Sequence, residues 1–459
     1  MQTTFPSEAK NLNDDLQFRE LTGGFDVRKV ELSTPTKLVV LVEDRLNEIF
    51  ARVVLVVEKV APHRITRLDL GQIPRPAEFS LPHMNEGQLT ATLKQKMERD
   101  AAAGRFSDAV LVAKNGKTIF AQAYGLADRD LKIPNKLATR FRIGSMNKMF
   151  TAVATLQLVQ SGALELNEPF AKYLRDYPNK DVASKVTIRD LLTHTGGTGD
   201  IFGPEFDAHR LELRTLQDYV TLYGTRGLQF EPGTKWDYSN YGFILLGRVI
   251  EKVSGRSYYD YVREHVYAPA GMTSTGSDPE DRTVVNRSVG YTEVGVGKWQ
   301  SNSDTLPYRG TSAGGGYSTV GDLFRFANAL RENKLLHAHY TQMLTTGKVD
   351  TPNGRYAFGF EDRRVNGARC FGHGGAAPGM NGDLAICPGS GYVVVVLVNM
   401  DPPAASRISD FITNRLPEAV SDVGRCSQLV PCLWTEPVRL TRSLARITQV
   451  PLKGRKLAN

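Results

Sequence analysis

Ser145 and Lys148, three residues apart within residues 141–150, could together do nucleophilic chemistry. A serine hydroxyl is a poor nucleophile until a neighbouring base takes its proton. A lysine becomes that base when burial and neighbours lower its pKa. Met149, Phe150, Val153, Leu156 and Val159 recur at helical spacing until Ser161-Gly162 stops the run. Ser145 therefore sits near a helix N-terminus, with Lys148 one turn later on the same face. The helix dipole there favours the negative charge that develops on the hydroxyl. Taken alone, the pair also fits an ordinary exposed Ser and Lys on a helix.

Two further constellations bear on the choice. Tyr238-Ser239-Asn240 follows a Pro232-Gly233 turn and precedes an apolar helical run, residues 243–250. A tyrosine can relay a proton, and an asparagine amide can bond a substrate carbonyl. The plainer alternative is a turn with a packed Tyr. Gly372-His373-Gly374-Gly375-Ala376 precedes a run at 392–398 that reads as a buried strand. Its glycines would let a substrate approach a strand backbone, and a backbone N–H there could complete an oxyanion hole. The plainer alternative is a Gly-rich turn with a surface His.

In this order the three motifs resemble the serine β-lactamase and penicillin-binding-protein superfamily, and within it the class C β-lactamase-like branch that includes family VIII carboxylesterases. Residues 186–197 and 312–327 look like further stretches of that branch, and the resemblance runs over about residues 88–417. It implies that Ser145 is acylated and that Lys148 and Tyr238 jointly handle its proton. It implies that Asn240 contacts the acyl side, that the N–H groups of Ser145 and Ala376 form the oxyanion hole, and that Gly374 and Gly375 line the substrate edge. His373 departs from the pattern, because relatives that hydrolyse β-lactams carry a Lys there to hold a carboxylate. A His is mostly neutral at pH 7. The change argues against an efficient β-lactamase and leaves room for a weak one.

Gly310-Thr311-Ser312-Ala313-Gly314 matches the G-x-S-x-G elbow of α/β-hydrolases, with Asp322 and His373 as conceivable partners. That elbow needs a buried strand before it and a helix directly after it. Here the preceding residues are polar and broken by Pro307, and the following residues are glycines.

The expected architecture is α+β. Residues 1–85 read as a small accessory domain, with a helix over 11–19 and three strands at 37–42, 51–57 and 64–70, closed by a linker at Pro74, Pro76 and Pro82. Residues 86–417 read as the hydrolase domain. It has a helix at 87–103, a hairpin turning at Asn115-Gly116, a mostly helical region over about 160–300, strands near 355–400 and a helix at 404–416. Early and late strands should meet in one central antiparallel sheet flanked by helices, with the site at its boundary with the helical region. Residues 418–459 follow no pattern.

Of the 459 residues 41% are hydrophobic, ordinary for a globular chain with a sizeable core, and no apolar run is long enough to span a bilayer. The net charge of +8 is scattered except near the C-terminus, so neither nucleic acid nor membrane is an expected partner. A small-molecule ester or amide is, and a homodimer is compatible. The N-terminal residues show no charged-then-apolar leader, so a cytoplasmic location is the default. Cys370, Cys387, Cys426 and Cys432 lack metal spacing and read as buried or free thiols, and no metal or other cofactor is expected. The first expectation for function is a serine carboxylesterase acting on short acyl esters. The rival enzyme is a D-stereospecific peptidase or amidase. An idle binding protein is disfavoured by the intact Ser145, Lys148 and Tyr238.

Overall fold

The computed structural model describes residues 18–417, apart from 20, 296 and 353. The helix expected over 11–19 therefore falls almost wholly outside the described residues. Residues 418–459, with Cys426, Cys432 and the basic tail, fall outside them entirely.

The N-terminal part is a four-stranded antiparallel meander: β1 (Phe25–Ser33), β2 (Lys37–Asp44), β3 (Phe50–Val57) and β4 (Ile65–Gln72). Three of these were expected. β1 was not, because register shifts between Val27 and Lys29 and between Val30 and Leu32 break its period of two. The meander has a small core of its own at Val40, Val42 and Ala51. It docks on helix α1 (Glu86–Ala102), where Lys96 Nζ donates to Leu46 O at 3.1 Å.

The hairpin β5 (Asp108–Lys114) and β6 (Lys117–Tyr124) turns at Asn115 and Gly116, both with positive φ, as a tight Asn-Gly turn requires. The short strand β7 (Phe141–Gly144) leads into helix α2 (Asn147–Gln160). Helices dominate as far as Ala270, among them α3 (Ile188–Thr193) and α4 (Asn240–Ser254). The helical region ends there rather than at 300, since Tyr291–Gly295 and Lys298–Ser301 form a hairpin. Strand β8 (Gly316–Ser318) then pairs with β7. The chain returns through β9 (Val349–Thr351), β10 (Gly354–Tyr356), β11 (Glu361–Val365), β12 (Ala368–Ala377), β13 (Met380–Cys387) and β14 (Tyr392–Val398) to helix α5 (Ala404–Thr413).

The central sheet is antiparallel throughout, in the order β9-β10-β11-β12-β13-β14-β5-β6, so early and late strands meet where β14 pairs with β5. Both of its faces are covered. Val110, Val112, Val394 and Val396 pack under Leu89, Leu93, Met97 and Ile408 of α1 and α5. Leu111, Val393, Val395 and Leu397 face α2 and the helical region. This is why β14 reads as an unbroken apolar run rather than an alternating one. Each such valine or leucine, fully buried, contributes about 1.5–3 kcal/mol.

The cysteine expectation is corrected. Cys370 and Cys387 form a disulfide across β12 and β13, with Cα atoms 4.2 Å apart. Phe371 pairs with Ile386 in the same register, so the two cysteines fall directly opposite each other. The pairing depends on register, which residue spacing does not reveal. Among the described residues, no helix is long and apolar enough to cross a membrane.

Candidate active site

The turn between β7 and α2 carries Ser145. Lys148 lies in the first turn of α2 and is fully buried. Lys148 Nζ lies 3.1 Å from Ser145 Oγ, 2.7 Å from Asn240 Oδ1 and 2.7 Å from Ala313 O. Burial pulls its pKa down to about 7, with the Asp200 carboxylate acting in the opposite direction. A lysine near neutrality there can give and take a proton.

Tyr238 ends the loop before α4, and Ser239 caps that helix by accepting from Gly242 N at 2.9 Å. Burial holds the Tyr238 phenol far above its ordinary pKa, while a hydrogen bond with Ser145 pulls the other way. The phenol therefore stays protonated at neutral pH. Its ring stands 4.7 Å from Lys148 Nζ. Ser145 and Lys148 from one stretch of sequence and Tyr238 from another thus converge at one point.

Asn240 is the first residue of α4 and faces inward. Its carbonyl oxygen is held by Lys148, its Nδ2 donates to Asp200 Oδ2 at 3.2 Å, and its backbone N–H donates to Asp200 Oδ1 at 3.0 Å. Both ends of the amide are thus engaged within the protein.

His373, Gly374, Gly375 and Ala376 lie on β12, within the sheet rather than in a turn. A Cβ on Gly375 would fall 1.9 Å from Ile143 O, so the glycine lets β12 press against β7, the strand that leads to Ser145. The approach sets Ala376 N beside Gly144, 3.0 Å from where a Cβ on that residue would lie. The glycine was expected to admit substrate, but at this position it admits β7.

His373 is buried and not on the surface. Its Nδ1 lies 2.5 Å from Gly374 O and its Nε2 lies 2.9 Å from the Tyr356 hydroxyl. A carbonyl only accepts, so Nδ1 carries the proton and Nε2 accepts from the tyrosine. Burial first, and then the nearby Lys148, lower its pKa to about 3. The imidazole is neutral and fully bonded.

Several residues that were not expected at this site take part in it. The Ala313 carbonyl accepts from Lys148, and its neighbour Ser312 is wholly buried, with its carbonyl taken by Thr151 Oγ1 at 2.7 Å. The G-x-S-x-G segment is thus a loop that holds the lysine, and its serine is sealed from substrate. His194 accepts from Ser239 N through Nδ1 at 3.0 Å and packs against the Tyr238 ring, with centroids 4.2 Å apart. It ends α3 in the left-handed region, at φ 60°. A cavity of about 80 Å³ opens beside Tyr238, lined by Thr198, Gly199, Asp200, Gln229 and Asp237 among others. Among the described residues, no three His, Cys, Asp or Glu side chains are grouped to hold a metal ion.

The family model described as Beta-lactamase matches residues 89–417. The chain belongs to the beta-lactamase family. It is a serine hydrolase of the β-lactamase and penicillin-binding-protein superfamily, with the expected mixed helix and sheet architecture around a central antiparallel sheet. It is 30% identical over 315 residues to the Bacillus subtilis protein PbpX, whose name marks it as a candidate penicillin-binding protein, covering 67% of this chain and 74% of that one. The crystal structure of a penicillin-binding protein from Bacillus halodurans superposes with a TM-score of 0.62 at 33% identity, over 71% of this chain and 97% of that one. A D-stereospecific amidohydrolase from Streptomyces superposes with a TM-score of 0.60 at 28% identity, over 70% and 97%.

Proposed function

We propose that this family member cleaves short-chain carboxylic esters through an acyl-enzyme on Ser145, with slow β-lactam hydrolysis as a side activity. The supporting observation is the 3.1 Å approach of Ser145 Oγ to a buried Lys148 whose pKa is near 7. Neutral Lys148 takes the serine proton as Oγ attacks the carbonyl. The Tyr238 phenol, still protonated, donates to the developing charge and relays the proton from Lys148 to the leaving alcohol. The N–H groups of Ser145 and Ala376 bind the oxyanion. Water then repeats the sequence in reverse to free the acid.

The ester preference rests on His373. A neutral, doubly bonded imidazole offers no cation to a substrate carboxylate, and an ester needs none. The second reading is a D-stereospecific amidase or peptidase. The carboxylates of Asp200 and Asp237 in the adjoining cavity favour it, since they would suit a substrate amine. The Cys370–Cys387 bond fits an oxidising compartment and weighs against the cytoplasmic default.

A panel of p-nitrophenyl esters, nitrocefin and D-amino-acid amides separates these readings. Ser145→Ala is expected to lower ester turnover by a factor on the order of 10³ or more, and Lys148→Ala by nearly as much, because the two act as a unit. Ester cleavage that survives Ser145→Ala would refute the mechanism.

A further inference from the structure

An asparagine can present either its carbonyl oxygen or its NH₂ to a neighbour, and beside Lys148 the two are not equivalent. A neutral amine has two N–H groups and one lone pair. Three groups surround Lys148 Nζ: Asn240 Oδ1, Ala313 O and Ser145 Oγ. If the two carbonyl oxygens take the two N–H groups, the lone pair is left for the Ser145 hydroxyl. With Asn240 turned over, its NH₂ would donate into that lone pair, and Ser145 would face an N–H instead.

Asp200 decides between the two. Its Oδ1 accepts from the backbone N–H groups of Asn240 at 3.0 Å and Ile201 at 2.8 Å. Its Oδ2 accepts from Asn240 Nδ2 at 3.2 Å. A carboxylate has nothing to donate, so only the NH₂ edge of Asn240 can face it.

We propose that Asp200 is a positioning residue: it fixes the Asn240 amide so that the carbonyl oxygen meets Lys148 and the amine lone pair is directed at Ser145. The inference rests on the reading of Ser145 as the acylated nucleophile. Asp200 acts through Asn240, and its negative charge also favours the lysine's protonated form, as found above.

Asp200→Asn keeps the shape and the two backbone bonds but sets an NH₂ against the NH₂ of Asn240, which turns over. The expected result with p-nitrophenyl acetate is a kcat lower by roughly 10²-fold with KM within about threefold. The acid limb of the pH profile should move to lower pH, because the charge that favoured the ammonium is gone. Adding Asn240→Asp to Asp200→Asn restores an acceptor toward Lys148 and a donor–acceptor pair behind it. The double variant should regain about tenfold or more over Asp200→Asn, with its acid limb moved upward by the new carboxylate. If Asp200→Asn alone fails to unfold cooperatively, the comparison passes to Asn240→Asp, in which two carboxylates face each other; the double variant should exceed it by about tenfold. An unchanged kcat and acid limb in Asp200→Asn, or a double variant no better than its parent, would overturn the inference. Fluorophosphonate labelling runs in parallel. An unlabelled Ser145 in the wild type would overturn the proposed function, whereas equal labelling rates in wild type and Asp200→Asn would overturn this inference alone.

Discussion

At the scale of single residues, the proposed mechanism separates two groups that the sequence could assign only jointly. Burial drives Lys148 down to about 7 and the Tyr238 phenol upward. The same loss of solvent therefore makes one a usable base and keeps the other a proton donor. The consequence is a pH dependence with a definite sign. Lys148 accepts the serine proton only when neutral, and its neutral fraction grows as pH rises through its folded value. For an ester substrate, kcat/KM should thus climb with pH to a plateau, with a midpoint near 7. Below the midpoint it should fall about tenfold per pH unit. A profile flat from pH 5 to 9 would mean that a different base operates. The motifs that hold Ser145, Lys148 and Tyr238 could be singled out because each is a short local stretch, and it was the family resemblance that joined them into one candidate site. Asp200, Ala313 and Tyr356 were not, because only folding brings them to residues distant in sequence.

At the scale of elements, the site depends on how closely strand β12 lies against β7. Gly374 and Gly375 are adjacent and look alike in the sequence, yet the structure treats them differently. A Cβ on Gly375 would meet Ile143 O at 1.9 Å, while one on Gly374 would meet nothing nearer than Gly382 O at 3.6 Å. Gly375→Ala must therefore push β12 away from the nucleophile turn and carry Ala376 N with it. Ester hydrolysis should fall by about 10² or more, the usual cost of losing one oxyanion donor. Gly374→Ala should stay within a fewfold of the wild type, and equal losses in both would detach Ala376 from the oxyanion site. In the central sheet β5, β6 and β14, with the flanking helices α1 and α5, could be read from apolar runs and turn residues. β1 could not, since two bulges scramble its alternation, and neither could the pairing partners, since register is set by contacts across the sheet.

At the scale of the molecule, the central sheet divides chemistry from support. Along β12, Phe371 belongs to the core on the helical side, while Cys370 packs with α1 and α5 on the other face. The disulfide to Cys387 thus lies across the sheet from the cavity side that His373 shares with Phe371 by alternation. The meander of residues 25–72 docks on that same supporting layer through Lys96 of α1. The arrangement predicts that stability and catalysis can be separated. The bond joins residues 17 apart in sequence, so its loss should destabilise the fold by about 3 kcal/mol through the freed unfolded chain. Replacing both cysteines by alanine should lower the urea midpoint accordingly while kcat at 25 °C stays within about threefold, because the sheet register on the reactive face is kept by its own hydrogen bonds. Peptide mapping without reduction should recover a linked pair containing Cys370 and Cys387. A double variant that unfolds at the wild-type midpoint, or that loses ester hydrolysis while remaining folded, would show that the two faces of the sheet are not independent in the way the packing indicates.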